Sequence, residues 1–201
     1  MKNAQITIRK GKPDDASRIA SLIIMAMTEE CCLYFCGEKH SIDDFHEAMT
    51  TLALRTDSQY SYLNTLCAVD EKDNIVGVCT SYDGALLHQL RKAFIDTAWE
   101  RWGMDHSNMP DETQAGELYI DSLAVDPEYR GMGIAKQLLE ATIQKSREMH
   151  LPATGLLVDT GNPRAELLYN KVGFRVVDTN TWGGHPMKHM TIENNTTKIN
   201  F

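Results

Sequence analysis

Leu123-Ala124-Val125-Asp126-Pro127-Glu128-Tyr129-Arg130-Gly131-Met132-Gly133-Ile134-Ala135-Lys136 decides how the chain is read. A β-rich run stops at a proline, the chain bends through two glycines, and a helix-forming run begins at once. In that run Ile134, Leu138 and Ala141 make one apolar row, with Ala135, Leu139 and Thr142 alongside. A helix from Gly133 to about Met149 is expected. A helix start carries N–H groups without intrahelical partners and the positive end of the dipole, which together suit a phosphate. Glycine lets the backbone approach a ligand closely and take up left-handed torsions. Arg130 and Lys136 add local positive charge. Alone, Gly131-x-Gly133 also fits a plain turn before a helix.

Two other phosphate loops are excluded. A Walker loop needs Gly-x-x-x-x-Gly-Lys followed by Ser or Thr, and that pattern is absent. A dinucleotide loop needs a third glycine, where this chain has Lys136 and Gln137.

Working outward, Glu117 to Val125 reads as the strand that feeds the bend, and Thr154 to Val158 as a short buried strand beyond the helix. The next helix is punctuated at both ends: Asn162 as cap, Pro163 in the first turn, Gly173 just past the end. Phe174–Val177 and Met187–Ile192 complete the strands. Upstream, Ile6–Arg9 is a first strand. Pro13, Asp14 and Asp15 open a helix that runs to about residue 30, carried by Ile19, Leu22, Ile23, Ala26 and Met27. Ser41 caps a second helix from Ile42 to about Leu54. Leu63–Val69 and Ile75–Ser81, separated by the polar turn 70–74, form an antiparallel hairpin. Gly77 marks a bulge or a close backbone approach. From Asp83 to Gly116 the pattern changes: Leu86, Leu90, Phe94 and Ala98, with Trp99 and Trp102, describe a helix inserted between two strands, followed by a polar loop around Pro110. The element order describes an α/β fold, a mixed central sheet of about six to seven strands with flanking helices.

Composition sets the frame. With 201 residues the chain fits one domain spanning 1–201, with the 83–116 insertion and a polar tail over 193–201. A hydrophobic content of 42% is enough for a substantial core. The net charge of −8 argues against non-specific nucleic-acid or anionic-membrane partners. No run approaches the roughly 20 apolar residues of a membrane span, and no signal-peptide core precedes Ile6, so a cytoplasmic protein is expected. Cys31, Cys32, Cys36, Cys67 and Cys79 are odd in number with apolar neighbours, as reduced thiols are. The Cys31–Cys36 cluster has no second ligand pair at zinc spacing, and packing is preferred over a metal site.

Arg130-x-x-Gly133-x-Ala135, preceded by Leu123-Ala124-Val125-x-Pro127, resembles the signature of the GNAT superfamily of N-acetyltransferases. About thirty residues on, Asn162-x-Arg164-Ala165-x-x-Leu168-Tyr169-x-Lys171-x-Gly173-Phe174 resembles the second cofactor-side motif of that family. The strong resemblance covers Glu117 to Val177, while the first 82 residues agree in element order alone. The resemblance implies the GNAT fold, acetyl-CoA as acyl donor and no metal. It places the pantetheine arm against the main chain at Leu123, Ala124 and Val125, and the pyrophosphate on the N–H groups of Arg130, Gly131, Met132, Gly133, Ile134 and Ala135. Asn162 would bond the pantetheine region, Tyr169 would lie near the thioester sulfur, and Arg164 or Lys171 would meet the outer phosphate. Asn162 also fits a simple helix cap.

Acetyl transfer needs a neutral amine, although an alkyl ammonium has a pKa of about 10.4. A base is therefore required at neutral pH, and backbone donors can hold the oxyanion. Tyr169 is the acid implied by the resemblance; a packing role beside Leu168 is the alternative. Strand alternation puts Glu117, Tyr119, Asp121 and Leu123 on one face and Leu118, Ile120, Ser122 and Ala124 on the other. Asp121 and Glu117 are candidates for the base or for attracting a cationic amine, and either could equally be a structural acceptor. His185 and His189 are further candidates from the last loop, where a solvated histidine is the commoner case. The expected partner is an amine of a small molecule or a peptide, with Glu112, Glu117 and Asp121 favouring a cationic one. The tryptophans of the insertion offer a contact for a homodimer. Competing readings are a non-catalytic acyl-CoA-binding sensor and a transferase of longer acyl groups.

Overall fold

The computed structural model describes residues 5–194. Seven strands form one sheet: β1 (Thr7–Lys10), β2 (Thr65–Val69), β3 (Ile75–Asp83), β4 (Glu117–Val125), β5 (Ala153–Asp159), β6 (Arg175–Trp182) and β7 (His185–Glu193). Its order is β1-β2-β3-β4-β5-β7-β6. All neighbours are antiparallel except β4 and β5, which the helix between them joins as a parallel pair. The hairpin β6–β7 closes the far edge, so β7 rather than β6 lies beside β5. The expected mixed sheet is the observed one, and the β2–β3 hairpin stands where the polar turn predicts it.

Six helices flank the sheet among the described residues: α1 (Ala16–Ala26), α2 (Glu29–Cys36), α3 (Ile42–Leu54), α4 (Leu87–Trp102), α5 (Ile134–Glu148) and α6 (Pro163–Val172). One apolar core joins α1, α2, α3 and part of α4 to one face; the other joins α5 and α6 to the opposite face. Gly77 is the close approach: a Cβ there would lie 3.1 Å from the Ala124 carbonyl oxygen and 3.3 Å from Leu138 of α5.

Several boundaries depart from the sequence reading. The first helix stops at Ala26, because Met27 is extended and Thr28 begins a new helix by accepting from the Cys31 N–H. The two axes meet at 113°. The cysteine cluster therefore packs on α2, with Cys32 and Cys36 buried and Cys31 partly so. Ser41 caps α3 as expected, in a reciprocal pair with Asp44. The polar run Asp178-Thr179-Asn180-Thr181 reads as a loop but is strand in β6, since pairing with β7 overrides weak local preference. Glu193, where the polar tail is expected to begin, is the last residue of β7. Asn194 is buried and donates its backbone N–H to Pro152 (2.9 Å) and its amide to Ser146 (2.6 Å) and Leu151 (3.0 Å). Residues 195–201 lie outside the described ones. No single helix among the described residues is long and apolar enough to cross a membrane.

The α4 segment is less of an appendage than its sequence suggests. Ala93 and Phe94 enter the first core, and the Phe94 ring meets Phe35 at 5.0 Å and Tyr60 at 5.8 Å. Trp102 stacks on Phe45 at 5.6 Å, which leaves Trp99, 61% exposed, as the tryptophan of α4 available to a partner. Phe94→Ala is expected to lower unfolding free energy by about 3–5 kcal/mol, whereas Trp99→Ala should change it by less than about 0.5 kcal/mol. Urea denaturation of both variants checks that contrast; equal, small effects would make α4 an appendage after all.

Candidate active site

β3 and β4 pair from Gly77–Val125 to Thr80–Ser122 and again from Ser81–Ile120 to Asp83–Leu118. Asp121 falls between these stretches without a partner on β3, so it is the extra residue of a β-bulge. The bulge redirects the side chains after it. Ile120 and Leu123 both pack toward α5, while Ala124 packs toward α1 and α3. Alternation therefore holds from Glu117 to Asp121 and then reverses: Leu123 does not share the face of Glu117, Tyr119 and Asp121. Periodicity from sequence alone assigned it there, because an inserted residue leaves no periodic trace.

On the other side of β4 the ladder to β5 ends at Ile120–Leu156, although the strands run on to Val125 and Asp159. The sheet opens at this point. Main-chain groups of Asp121 to Val125 that face β5 are left without a strand partner. Leu123, Ala124 and Val125, assigned to a pantetheine arm, border that opening. Arg130 folds back over it, donating its Nε–H to the Val125 carbonyl at 3.0 Å.

At the bend, Gly131 and Gly133 have φ of 80° and 77°, torsions an L side chain rarely adopts. A Cβ at either would meet nothing within 4 Å, so torsion rather than crowding calls for glycine, and the space before α5 is open. Gly133 caps α5 without a side-chain acceptor. Among the described residues the N–H groups of Gly131, Met132, Gly133, Ile134 and Ala135 make no hydrogen bond outside the helix. They form an uncapped, positive helix end. Lys136, exposed, stands 3.6 Å from Glu140 and is partly neutralised by it.

α6 brings up the second motif. Asn162 is the cap expected, accepting from the Ala165 N–H at 3.1 Å. Arg164 and Lys171 are exposed on the same helix. Tyr169 is half-buried, edge-on to Phe174 at 6.0 Å, and burial pushes its phenol up to about 12. It lies on the α5 face, in the core that holds Leu168 and Met132.

The opposite face carries the carboxylates. Asp121 accepts from Ser122 Oγ (2.8 Å) and Gln59 Nε2 (3.1 Å). The α4 segment adds Glu112, which accepts from Tyr82 OH at 2.8 Å and faces Arg91 at 3.5 Å. Tyr60, Tyr82 and Tyr119 are the buried phenols around this patch. Burial holds both Asp121 and Glu112 above the ordinary carboxylate range, with the Asp121 charge adding to the effect on Glu112 and Arg91 opposing it. Gln59 Oε1 and Arg91 Nε are buried without protein partners. Glu117, at the start of β4, accepts from Thr113 Oγ1 at 2.6 Å and meets His189 Nε2 at 2.8 Å.

The histidines are not on a loop. Gly183 and Gly184 make the turn, and both His185 and His189 belong to β7. His185 is exposed and 3.3 Å from Asp159; His189 points inward to Glu117. Sequence reasoning passed over Gln59, Arg91, Thr113 and Gly155. For Arg91 a signal existed, a charge set within the apolar stripe Leu87, Leu90, Phe94 and Ala98. The other three stand in polar or featureless stretches with no pattern to mark them.

A sheet that parts beside a β-bulge, with a glycine-turned helix start at the mouth, defines the class. The sequence model of the Acetyltransferase (GNAT) family matches residues 24–174, and the chain belongs to that family. A mycothiol acetyltransferase of Nocardiopsis dassonvillei is 33% identical over 88 residues, 44% of this chain and 26% of that protein. N-alpha-acetyltransferase 30 of Saccharomyces cerevisiae is 43% identical over 56 residues, 28% of this chain and 32% of that one. The matched region thus spans about a quarter to a third of these curated relatives. The crystal structure of an N-acetyltransferase from Staphylococcus aureus Mu50 superposes with a TM-score of 0.79 at 24% identity, covering 92% of this chain and all of that one (100%).

A carboxyl raised by burial favours the folded state while it stays protonated and loses that contribution as pH climbs through its raised value. Relative to Glu112→Gln, the wild-type chain should therefore lose stability as pH rises from the ordinary carboxylate range toward neutrality. Parallel melting curves of the two proteins from pH 4 to 8 test the slope of their difference. A pH-independent gap would mean that the Glu112 carboxyl titrates alike in the folded and unfolded chain, so that burial does not raise it.

Proposed function

We propose that the chain is an acetyl-CoA-dependent N-acetyltransferase acting on a primary amine of a small molecule or peptide, by direct attack in a ternary complex. The observation that carries it is the parting of β4 and β5 beside the uncapped start of α5. An acyl-CoA laid there would add its pantetheine arm along Leu123–Val125 as an extra strand would. Its pyrophosphate would take the N–H groups from Gly131 through Ala135, since the Arg130 N–H expected with them is given to the Pro127 carbonyl at 3.4 Å, with Asn162 bonding the arm and Arg164 or Lys171 meeting the outer phosphate. The whole chain 1–201 would serve as one such domain, in the cytoplasm, where its five thiols stay reduced.

The two faces would then divide the work. Asp121 and Glu117 lie on the acceptor face, where negative charge attracts an ammonium and offers its proton an exit. Tyr169 reaches the thioester from the α5 face. A phenol held at about 12 keeps its proton at neutral pH. Full donation to a thiolate, whose acid has a pKa of about 8.5, would run uphill. Tyr169 is therefore assigned a hydrogen bond to the sulfur as charge builds there.

Free-thiol release on mixing the chain with acetyl-CoA and a panel of amines tests the function. Calorimetry showing no acetyl-CoA binding would end it, and binding without thiol release would leave a sensor domain. Tyr169→Phe is expected to lower turnover by about 100-fold while acetyl-CoA affinity stays within a few-fold. Unchanged turnover would return Tyr169 to a packing role.

A further inference from the structure

Glu117 and His189 stand on strands that are not neighbours, with β5 between them. Their contact crosses β5 directly over Gly155, where a Cβ would overlap the Glu117 carboxylate and sit 3.1 Å from His189 Nε2. The carboxylate is fixed at both oxygens: Thr113 Oγ1 donates to Oε1 at 2.6 Å, and the imidazole meets Oε2 at 2.8 Å. Three elements thus supply one device, the loop after α4, β4 and β7. Glu117 is the inner member, with a side chain 5% exposed, and His189 the outer, at 15%. A carboxylate only accepts, so the ring carries its proton on Nε2 and the neutral form keeps its lone pair on Nδ1. Nδ1 makes no hydrogen bond with the described residues. Lys188, one residue earlier, pairs with Glu166 of α6 at 2.8 Å on the other face. Strand alternation thus turns His189 toward the face of Asp121 and away from Tyr169.

We propose that His189 is the base that deprotonates the acceptor amine, and that Glu117, rather than being that base, orients the ring and balances its charge. The proposal rests on the acetyltransferase reading above and assigns a catalytic residue to the same site. One ammonium proton passes to Nδ1, leaving a neutral amine and an imidazolium beside the carboxylate. The nitrogen lone pair forms the C–N bond as the carbonyl electrons move to oxygen. Collapse breaks the C–S bond and sulfur leaves with the electron pair. The second nitrogen proton goes to that thiolate, and the imidazolium returns its proton to solvent. Amine cation and thioester become amide, free thiol and one released proton.

The groups facing His189 are Glu117 from β4 and Asp178, its cross-strand partner on β6; its β5 neighbour Leu157 carries no charge. Both carboxylates favour the imidazolium, the bond from Glu117 most, so His189 titrates above its usual value. A base must be unprotonated, so activity should fall as pH drops through that raised value.

The experiment measures kcat/KM against pH for the full chain and four variants, using an amine found by the thiol-release screen, with acetyl-CoA affinity from calorimetry. His189→Asn should lower kcat/KM by about 100-fold or more, flatten the acid limb and leave acetyl-CoA affinity unchanged. Added imidazole should restore part of the rate to His189→Ala. Glu117→Gln should move the acid limb to lower pH while turnover falls, and Asp121→Asn should weaken the amine while keeping the limb. Wild-type rate and profile in His189→Asn would overturn the assignment, as would loss of the limb in Asp121→Asn alone. Should His189→Asn not fold, the Glu117→Gln limb and an NMR titration of His189 with and without Glu117 decide. A wild-type chain that binds acetyl-CoA yet acetylates no amine fails the transferase reading itself, whereas an active one with an unmoved His189→Asn profile fails the histidine alone.

Discussion

One unpaired residue, Asp121, governs the centre of this molecule. A sheet strand normally satisfies its backbone on both sides, and β4 pairs with β3 from Leu118 to Val125 except at Asp121. Toward β5 it stops at Ile120. Adding a residue at Asp121 bends and twists β4 locally, which is what a bulge does to any strand. The strands part where the bend begins. The same extra residue turns Leu123 and Val125 to the α5 side and leaves the Asp121 carboxyl on the other. The opening, its exposed main chain and a carboxylate beside it are therefore one structural event.

That event needs support, since partly buried carboxylates are costly unless they are bonded. The α4 segment supplies it. Arg91 lies between Asp111 and Glu112 at 3.5 Å from each, Tyr82 donates to Glu112, and Thr113 clamps Glu117. Gln59 approaches from the loop after α3. A patch with more carboxylates than guanidinium groups holds its acids partly protonated or holds a cation. Stability alone would favour replacing such a patch with apolar side chains. Its place on the face where an amine would arrive is what a role in the chemistry would account for.

How much of this could be read from residues alone follows from how local each signal is. The bend at Gly131–Gly133, the Asn162–Pro163 start and the Gly173 stop of α6, and the Ser41 cap are short-range patterns, and each stands where the reading put it. The bulge is a property of two strands in register, so alternation along β4 alone carried Leu123 to the wrong face. β6 was read short because its polar residues are held by β7, and the sequence of one strand does not name its neighbour. Gly155 carried no mark either. Its meaning comes from Glu117, 38 positions earlier, reaching over it. Placement of the residues at the bend and on α6 was thus largely legible, and the linkage among Asp121, Glu112, Glu117 and His189 was not.

Division of the two faces has a chemical logic. A base and a hydrogen-bond donor that touch each other bond to one another, and neither is then free for the reacting atoms. Here Tyr169 lies among α5 and α6 residues, and His189 with Glu117 lies beyond the sheet, so the layer of strands insulates them. The gap between β4 and β5 is where that layer is interrupted. A thioester seated in it would be met by the phenol at sulfur and by the deprotonated amine at carbon, from opposite sides. Proton traffic between the faces would then pass through the reacting atoms. Holding the two groups apart costs the fold an unpaired stretch of β4, and that stretch is the surface an acyl-CoA arm can complete.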